Sequence, residues 1–584
     1  MYDLLIRGGR VVDGTGAPAR TADVAITGDR IAAVGRITAP ARDVMNADGL
    51  LITPGFVDLH THYDAQVTWD PYLTPSSWHG CTTVVMGNCG VGFAPAAPDK
   101  HKWLIELMEG VEDIPGTAMH EGIQWEWETF PEYLDAIARK AHVIDFGAQV
   151  PHGPLRAYVM GERGAANEDA TDADVARMAA LVREGMVAGA LGFSTSRTML
   201  HKAIDGRPVP GTFANQRELF GIGRVLGELG AGVFQTATDH LNVPDELKMF
   251  EQLANEIGRP VLFNLSQTDA APGLWREVLA ELERINARGG QVFGQVAGRA
   301  IGVLMSFRTT GHPFVAYPSW IQMMGQPWEV QRAKLLDPAF KAKLLSEKRV
   351  DLRQFAAMVS RAYDWDFVDF LTTSFDKMYP HGSGIEYEPR ESESVAAIAA
   401  ATGKRPEEVA YDALAANGGE GMLYFPLFNY ADKDLELLRE LHAHPSTRMG
   451  LSDAGAHCGA VCDGGMPTFM LTHWTRDRTR GDRLPLEHIV RRQTMDTART
   501  YGLLDRGVLA PGYLADVNLI DYDNLRFMEP GIAFDLPSNA RRLVQRATGY
   551  VATVKRGEVI LKDGKPTGAL PGQLIRGAQA APKD

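Results

Sequence analysis

A (β/α)8 TIM-like barrel carrying a small discontinuous β-sandwich formed by both termini is the α/β fold that this sequence predicts. Three observations predict it. Short, Gly-punctuated β-rich runs occupy both ends of the chain. Between them, apolar strands alternate with helical patterns, as parallel βα units do. Histidine, cysteine and aspartate residues recur at the ends of those strands.

The first element is β-rich: "LLIRGGRVVDG" is followed by "ADVAITGDRIAAVG", where Gly28-Asp29 between two β-rich runs predicts a tight hairpin. The same character returns in "ADVNLIDYD" (515–523) and "RATGYVATVKRGEVILKDGKP" (546–566), so residues 1–53 and 505–570 are expected to form the one sandwich. Residues 54–504 carry the barrel, with strands ending near His60, Asn88, His152, Thr195, Ala237, Leu265, Val296 and Asp453. A helix is predicted over "TDADVARMAALVREGM", opened by a Thr171/Asp174 capping box and stopped at Gly189. Another is "PDELKMFEQLANEIG", with Leu247, Phe250, Leu253 and Ile257 on one face and Gly258 at its end. Eight strands with intervening helices close most economically into a barrel; an open doubly wound sheet is the alternative. Two stretches fall outside the repeat: a Trp-rich segment near 98–140 and mixed helix and loop near 300–400. Insertions after barrel strands sit at the catalytic face, so both are expected to wall a substrate cavity.

The totals narrow the function. The 584 residues are 45% apolar and 23% charged, ordinary for a globular protein. The formal charge of −14 comes from 73 acidic and 59 basic residues with no basic block, so no nucleic acid partner is expected. No run approaches the length of a membrane span and the N-terminus lacks a signal-peptide pattern, so no membrane partner is expected. Four cysteines do not make a disulfide framework of the small secreted kind, and a cytoplasmic location is expected.

In "GFVDLHTHYDAQ", His60 and His62 point to one face of an extended strand and Leu59 and Thr61 to the other. Two imidazoles placed so can share one ion. A barrel gathers its strand ends in one mouth, which brings His60 and His62 towards Cys89 of "MGNCGVG", His152 of "VPHGPL" and Asp453 of "GLSDAGAH". Imidazole, thiolate and carboxylate together are the set that a zinc-like divalent ion takes.

On "PGFVDLHTHYD" (54–64), "GCTTVVMGNCG" (80–90), "GALGFSTS" (189–196), "GLSDAGAH" (450–457) and "YGLLDRGVLAPGYLADVNLID" (501–521), the chain resembles the metal-dependent amidohydrolase superfamily. Within it, the chain is similar to the N-acyl-D-amino-acid deacylase (D-aminoacylase) group. The resemblance implies the barrel-plus-sandwich fold, with His60, His62 and Asp453 as ligands of a first metal and Cys89 as a bridging or second-site ligand. It also implies a small-molecule amide substrate and hydrolysis in which Asp453 moves the proton. A homo-oligomer is expected.

The departures from that group are as informative. The group's fifth and sixth strands each end in a metal-binding histidine, the sixth followed by a lysine for the substrate carboxylate. Here "GVFQTATDHLNV" and "PVLFNLSQTD" place Ala237 and Leu265 at the histidine positions and Gln267 at the lysine. Ligand counting therefore favours one firmly bound ion, most simply Zn2+, held by His60, His62 and Asp453 with Cys89, over two. His240, three residues past the lost ligand, replaces it only if its loop bends inward. His152 suits a place behind the ligands, or polarising an oxyanion, better than ligation.

In "FSTSRTMLHKAIDGRPVPGTFANQ" (193–216), Arg197 and His201 fall where a loop overhangs the mouth. Arg197 is the candidate carboxylate anchor, with a structural ion pair as its alternative. The Trp and Tyr residues near 125–133 and the stretch "HPFVAYPSW" (312–320) are expected to line an apolar acyl pocket, and Cys458 and Cys462 to pack beside Asp453. Three readings compete: hydrolysis of an N-acylated amino acid or peptide-like amide, the same barrel acting on another C–N bond or as a lyase, and a scaffold that binds without turnover.

Overall fold

The computed structural model describes residues 1–354, 364–381 and 386–583. The chain opens with β1 (Tyr2–Val11), β2 (Arg20–Thr27), β3 (Arg30–Gly35), β4 (Ala41–Asn46) and β5 (Leu51–Pro54). The β2–β3 hairpin turns at Gly28-Asp29 as its sequence predicts, with Gly28 at φ 57°, where a side chain would be strained.

Parallel strands follow: β6 (Phe56–Asp58), β7 (Cys81–Met86), β8 (Asp145–Ala148), β9 (Val150–Pro151), β10 (Gly192–Ser196), β11 (Val233–Ala237), β12 (Val261–Asn264) and β13 (Val292–Val296). All six residues of β7 and all five of β10 and β11 are buried, the mark of parallel strands covered on both faces. Two ladders result, β6-β7-β8 and, with β17 (Thr447–Met449) on the far side of β13, β9-β10-β11-β12-β13-β17. They meet twice. Gln149 alone separates β8 from β9, and its N–H donates to Met86 O at 3.0 Å. Beyond β6 and β17 a parallel bridge joins Thr61 to Ala454, and the Asp453 N–H donates to His60 O at 3.1 Å.

The helices follow their sequence signals. Asp172–Ala188 starts on a complete Thr171/Asp174 capping box and stops at Gly189, φ 115°. Val243–Ile257 buries Leu247, Phe250, Leu253 and Ile257 and stops at Gly258.

Both termini enter one sheet of nine strands, whose order runs Lys565–Pro566, Glu558–Lys562, Tyr550–Lys555, β18 (Val517–Ile520), β5, β1, β2, β3, with β4 on the side of β1. The β-rich ends expected to form one discontinuous sandwich thus share one continuous path of ladders, packed over Leu4, Ile6, Val24, Ile26, Ile52, Leu519 and Val554. The residues after 570 leave that sheet and return to the parallel strands, where the Ile575 N–H donates to Phe146 O at 2.8 Å.

The 300–400 stretch differs from its expectation of helix and loop. Residues 355–363 and 382–385 lie outside the described residues. The remainder contributes β14 (Ile301–Met305) and β15 (Tyr379–His381), which flank β16 (Met422–Phe428) in an antiparallel sheet. "MLYFPLF" lacks period-two alternation because the first five of its residues are all buried, so its strand character is masked. This sheet has its own core, which includes Phe314, Tyr317 and Trp320, with His312 edge-on to Trp320 at 4.2 Å between ring centres. "HPFVAYPSW" therefore packs that core rather than lining a substrate cavity. Its aromatic content reads the same either way in sequence.

Candidate metal centre

The site is built where β6, β7, β13 and β17 end. His60 and His62 lie just past β6, with ring centres 5.4 Å apart, and both are buried. The His60 main chain is held from both sides: its N–H donates to Asp58 Oδ1 at 3.1 Å, and Ser452 Oγ–H donates to Asp58 Oδ2. Burial raises the Asp58 carboxyl to about 6 despite those bonds.

Cys89 sits three residues past β7 in a turn that its sequence dictates. Its own φ is 56°, between Gly87 at 77° and Gly90 at 70°. A Cβ at Gly87 would lie 2.4 Å from Gln149 O, and one at Gly90 would lie 2.7 Å from Ser196 N, so only glycine fits. The Cys89 N–H donates to Gln235 Oε1 at 3.0 Å, which turns the thiol towards His60. Burial, then the charges of Glu112 and Asp453, push the thiol well above its ordinary pKa.

Asp453 lies beyond β17 in a loop where Leu451, Asp453 and His457 all have positive φ, at 58°, 48° and 52°. Three non-glycine residues in the left-handed region within seven positions store strain at one place, as functional loops do.

The donor atoms converge. His60 Nε2 is 3.1 Å from Cys89 Sγ and 3.4 Å from Asp453 Oδ1, and His62 Nε2 is 3.6 Å from the same oxygen. The ligand atoms of His60, His62 and Cys89 all lie within 4.8 Å of one another, the one such group of three among the described residues. Ligands about 2.1 Å from a tetrahedral ion are ~3.4 Å apart, so these separations fit a zinc-sized cation. The remaining imidazole nitrogens face outward: His60 Nδ1 meets Gln295 Oε1 at 2.9 Å, and His62 Nδ1 lies 3.4 Å from Glu112 Oε1. Burial lowers both histidines, His62 to about 4, so each is neutral and able to ligate near pH 7. Burial would raise Asp453, but the hydrogen bond from His62 and the neighbouring imidazoles of His60, His62 and His457 hold it well below the ordinary carboxylate range.

The other candidates lie elsewhere in the fold. His152 is fully buried, with Nδ1 2.8 Å from Thr195 Oγ1 and Nε2 2.8 Å from Glu218 Oε1, which also pairs with Arg156; neither ring nitrogen is free for an oxyanion. Arg197 donates through Nε to Glu246 and through Nη1 to Ala214 O at 2.9 Å. This is the structural ion pair, not a guanidinium presented to the mouth. Gln267 is engaged throughout: Nε2 donates to Asp432 Oδ2 at 2.8 Å and to Pro272 O at 3.0 Å, and Oε1 accepts from the Ala431 N–H at 3.0 Å. His240 lies against Phe428, ring centres 4.8 Å apart, outside the converging group. His201 is nearer: its Nδ1 is 3.0 Å from Ser196 Oγ, and burial followed by the charges of His62 and His457 lowers it to about 3. Cys458 and Cys462 are buried, as expected of packing residues.

Sequence reasoning missed Gln295, Gln235, Glu112 and His457. Gln295 and Gln235 carried a faint signal, as fully buried amides inside apolar strands. Glu112 carried none: it is the last residue of helix His101–Glu112 in the Trp-rich insertion. That insertion also supports the segments that carry the candidate ligands, with Trp127 Nε1–H donating to Phe93 O at 2.7 Å and Tyr133 Oη–H to Asp64 O at 3.0 Å. Both rings are buried.

The sequence model of the family described as "Amidohydrolase family" matches residues 43–561. Over 584 aligned residues the chain is 28% identical to N-acyl-D-aspartate deacylase of Alcaligenes xylosoxydans xylosoxydans, covering 99% of this chain and 96% of that one. An uncharacterized protein of Mycobacterium tuberculosis is 29% identical, covering 97% of this chain and 92% of its own length. Among solved structures, N-acyl-D-glutamate deacylase from Bordetella bronchiseptica, complexed with zinc and a phosphonate inhibitor, superposes with a TM-score of 0.64 at 24% identity, covering 98% of this chain and 99% of that one.

Proposed function

The chain belongs to the amidohydrolase family, and on that premise we propose that it hydrolyses the amide bond of an N-acylated amino acid or a related small peptide-like compound. The observation that carries this reading is the group formed by the ligand atoms of His60, His62 and Cys89, all within 4.8 Å of one another, with Asp453 Oδ1 3.4 Å from His60 Nε2 and 3.6 Å from His62 Nε2. One divalent ion, zinc by donor set, would be held by these four residues. When bound it supplies Lewis acidity, lowering the pKa of water from 15.7 towards about 7 and polarising the scissile carbonyl.

The residues of the chain do the rest. Asp453 accepts the proton of the attacking water and delivers it to the leaving nitrogen, which its left-handed backbone and its place beside both imidazoles allow. Gln295 fixes the tautomer and tilt of His60. The relative that carries an acyl-D-aspartate name supports an N-acyl substrate. The parallel strands are read as a (β/α)8 barrel of residues 54–504, closed through Gln149 and the Thr61–Ala454 bridge, with a β-sandwich domain from 1–53 and 505–570. Four free, buried cysteines support a cytoplasmic enzyme, and it would act as a homo-oligomer. No described helix is long and apolar enough to cross a membrane.

One observation favours a second reading, hydrolysis of another C–N bond: Arg197 and Gln267 both have internal partners, so neither is offered to a substrate carboxylate. A panel of N-acyl D- and L-amino acids, with their carboxyl amides and cyclic amides, separates the two when assayed with zinc-loaded protein. Turnover of the N-acyl acids supports the first reading; turnover confined to compounds without a carboxylate moves the enzyme to the second. Metal analysis of the purified protein should return about one divalent ion per chain. Two tightly held ions would require ligands beyond this set.

A further inference from the structure

Helix His101–Glu112 reaches the site from the Trp-rich insertion and ends on a carboxylate that the proposed chemistry does not use. The Glu112 side chain is 2% exposed and has no lysine or arginine partner among the described residues. Its Oε1 is a buried acceptor with no hydrogen bond, and the ring nitrogen it faces, His62 Nδ1, 3.4 Å away, is also buried without one. Its Oε2 is 3.6 Å from His457 Nε2, in the Asp453 loop.

The main chain holds Glu112 there. The His457 N–H donates to Glu112 O, and the Gly459 N–H donates to Asp113 Oδ2 at 3.2 Å. The insertion helix and the Asp453 loop are therefore clamped together at the residue whose carboxylate lies behind His62. Two unsatisfied buried groups of opposite hydrogen-bonding character, facing each other on the far side of a ligand ring, form a pair that is completed when a cation occupies the near side.

We propose that Glu112 is a positioning residue for the metal centre: it accepts the Nδ1–H of His62, which fixes the tautomer that turns Nε2 towards the ion. The inference rests on the metal reading above. It also accounts for a costly feature, because a buried carboxyl group with no lysine or arginine partner destabilises the ion-free protein, a cost that a dication bound nearby offsets.

The test is chelator competition for zinc together with urea unfolding of the metal-stripped protein, comparing the parent with Glu112→Gln and Glu112→Ala. Zinc affinity is expected to fall about 10- to 100-fold in Glu112→Ala and less in Glu112→Gln, whose amide oxygen can still accept a hydrogen bond. The unfolding midpoint of the stripped variants is expected to equal or exceed that of the parent. A stripped Glu112→Gln less stable than the stripped parent would make Glu112 a structural residue and overturn the proposal. A parent that binds zinc, with Glu112→Ala binding it equally, overturns this inference alone; a parent that binds no divalent ion overturns the metal reading along with it.

Discussion

At the scale of single residues, the site depends on which atom of each side chain is already engaged. His60 has one nitrogen on Gln295 and one in the converging group, so its tautomer follows from the amide rather than from the ion. Gln295→Leu removes that acceptor, and zinc affinity is expected to fall about tenfold or more, measured by chelator competition. Asp453 faces both imidazoles with one oxygen. Asp453→Asn keeps a ligating oxygen but cannot carry a proton, so kcat is expected to fall several-hundredfold or more while KM changes far less, on the order of what a positioned acid–base group contributes. Near-parental turnover in steady-state assays would assign the proton step to another group, with the buried imidazole of His201 the one to test next.

At the scale of elements, one turn decides whether the thiol belongs to the site. The strand Cys81–Met86 delivers Cys89 through a turn whose two glycines leave no room for a side chain. Gly87→Ala places a methyl carbon 2.4 Å from Gln149 O at a φ of 77°, so the turn must shift. The expected outcome is loss of bound metal from protein that still folds, read by metal analysis beside circular dichroism; full metal content in that variant would show that Cys89 is dispensable. The helices were readable from their caps: Thr171 and Gly189 bound one and Gly258 ends another, because capping is local chemistry. The second core around Phe314 and Trp320 was not readable, since aromatic residues signal burial without saying against what.

At the scale of the whole molecule, the termini and the parallel strands are joined by a buried ionic cluster. Asp145 on β8 pairs with Arg506 at 2.7 Å and with Lys555 of the terminal sheet at 2.9 Å, all with side chains 0–1% exposed. Burial would raise the Asp145 carboxyl, but Lys555, Arg506 and Arg556 hold it well below the usual range. Asp145→Asn leaves Arg506 on Asp505 and Lys555 on Asp516 but removes the carboxylate they share, and should cost about 3 kcal/mol, seen as a lower urea midpoint. Acid sensitivity is a second global property. Burial lowers His62, His79, His240 and His381 to about 4, and His201, His312 and His442 to about 3. Each takes up a proton near pH 6.5 when unfolded but resists it when folded, so their contribution is intact above about 6.5 and is lost as pH falls towards 4. Metal-stripped protein is expected to show a urea midpoint that drops steadily from pH 7 to pH 4; a flat profile would mean that these histidines are hydrated.

The sequence by itself determined what local chemistry can determine. The order of the parallel strands, the capped helices and the Gly28-Asp29 hairpin follow from periodicity, capping and turn chemistry, while the resemblance carried by the quoted motifs singled out His60, His62, Cys89 and Asp453 from the strand-end candidates. Only the tertiary structure decided which polar groups are already taken. Arg197 and His152 look free in one dimension, yet Glu246 and Glu218, 49 and 66 positions away, take them up. Gln295 and Glu112 look incidental, yet they stand behind the two histidines, 235 residues beyond His60 and 50 beyond His62. A buried polar group must find a partner wherever packing brings one, and the identity of that partner is a property of the folded contacts rather than of neighbours along the chain.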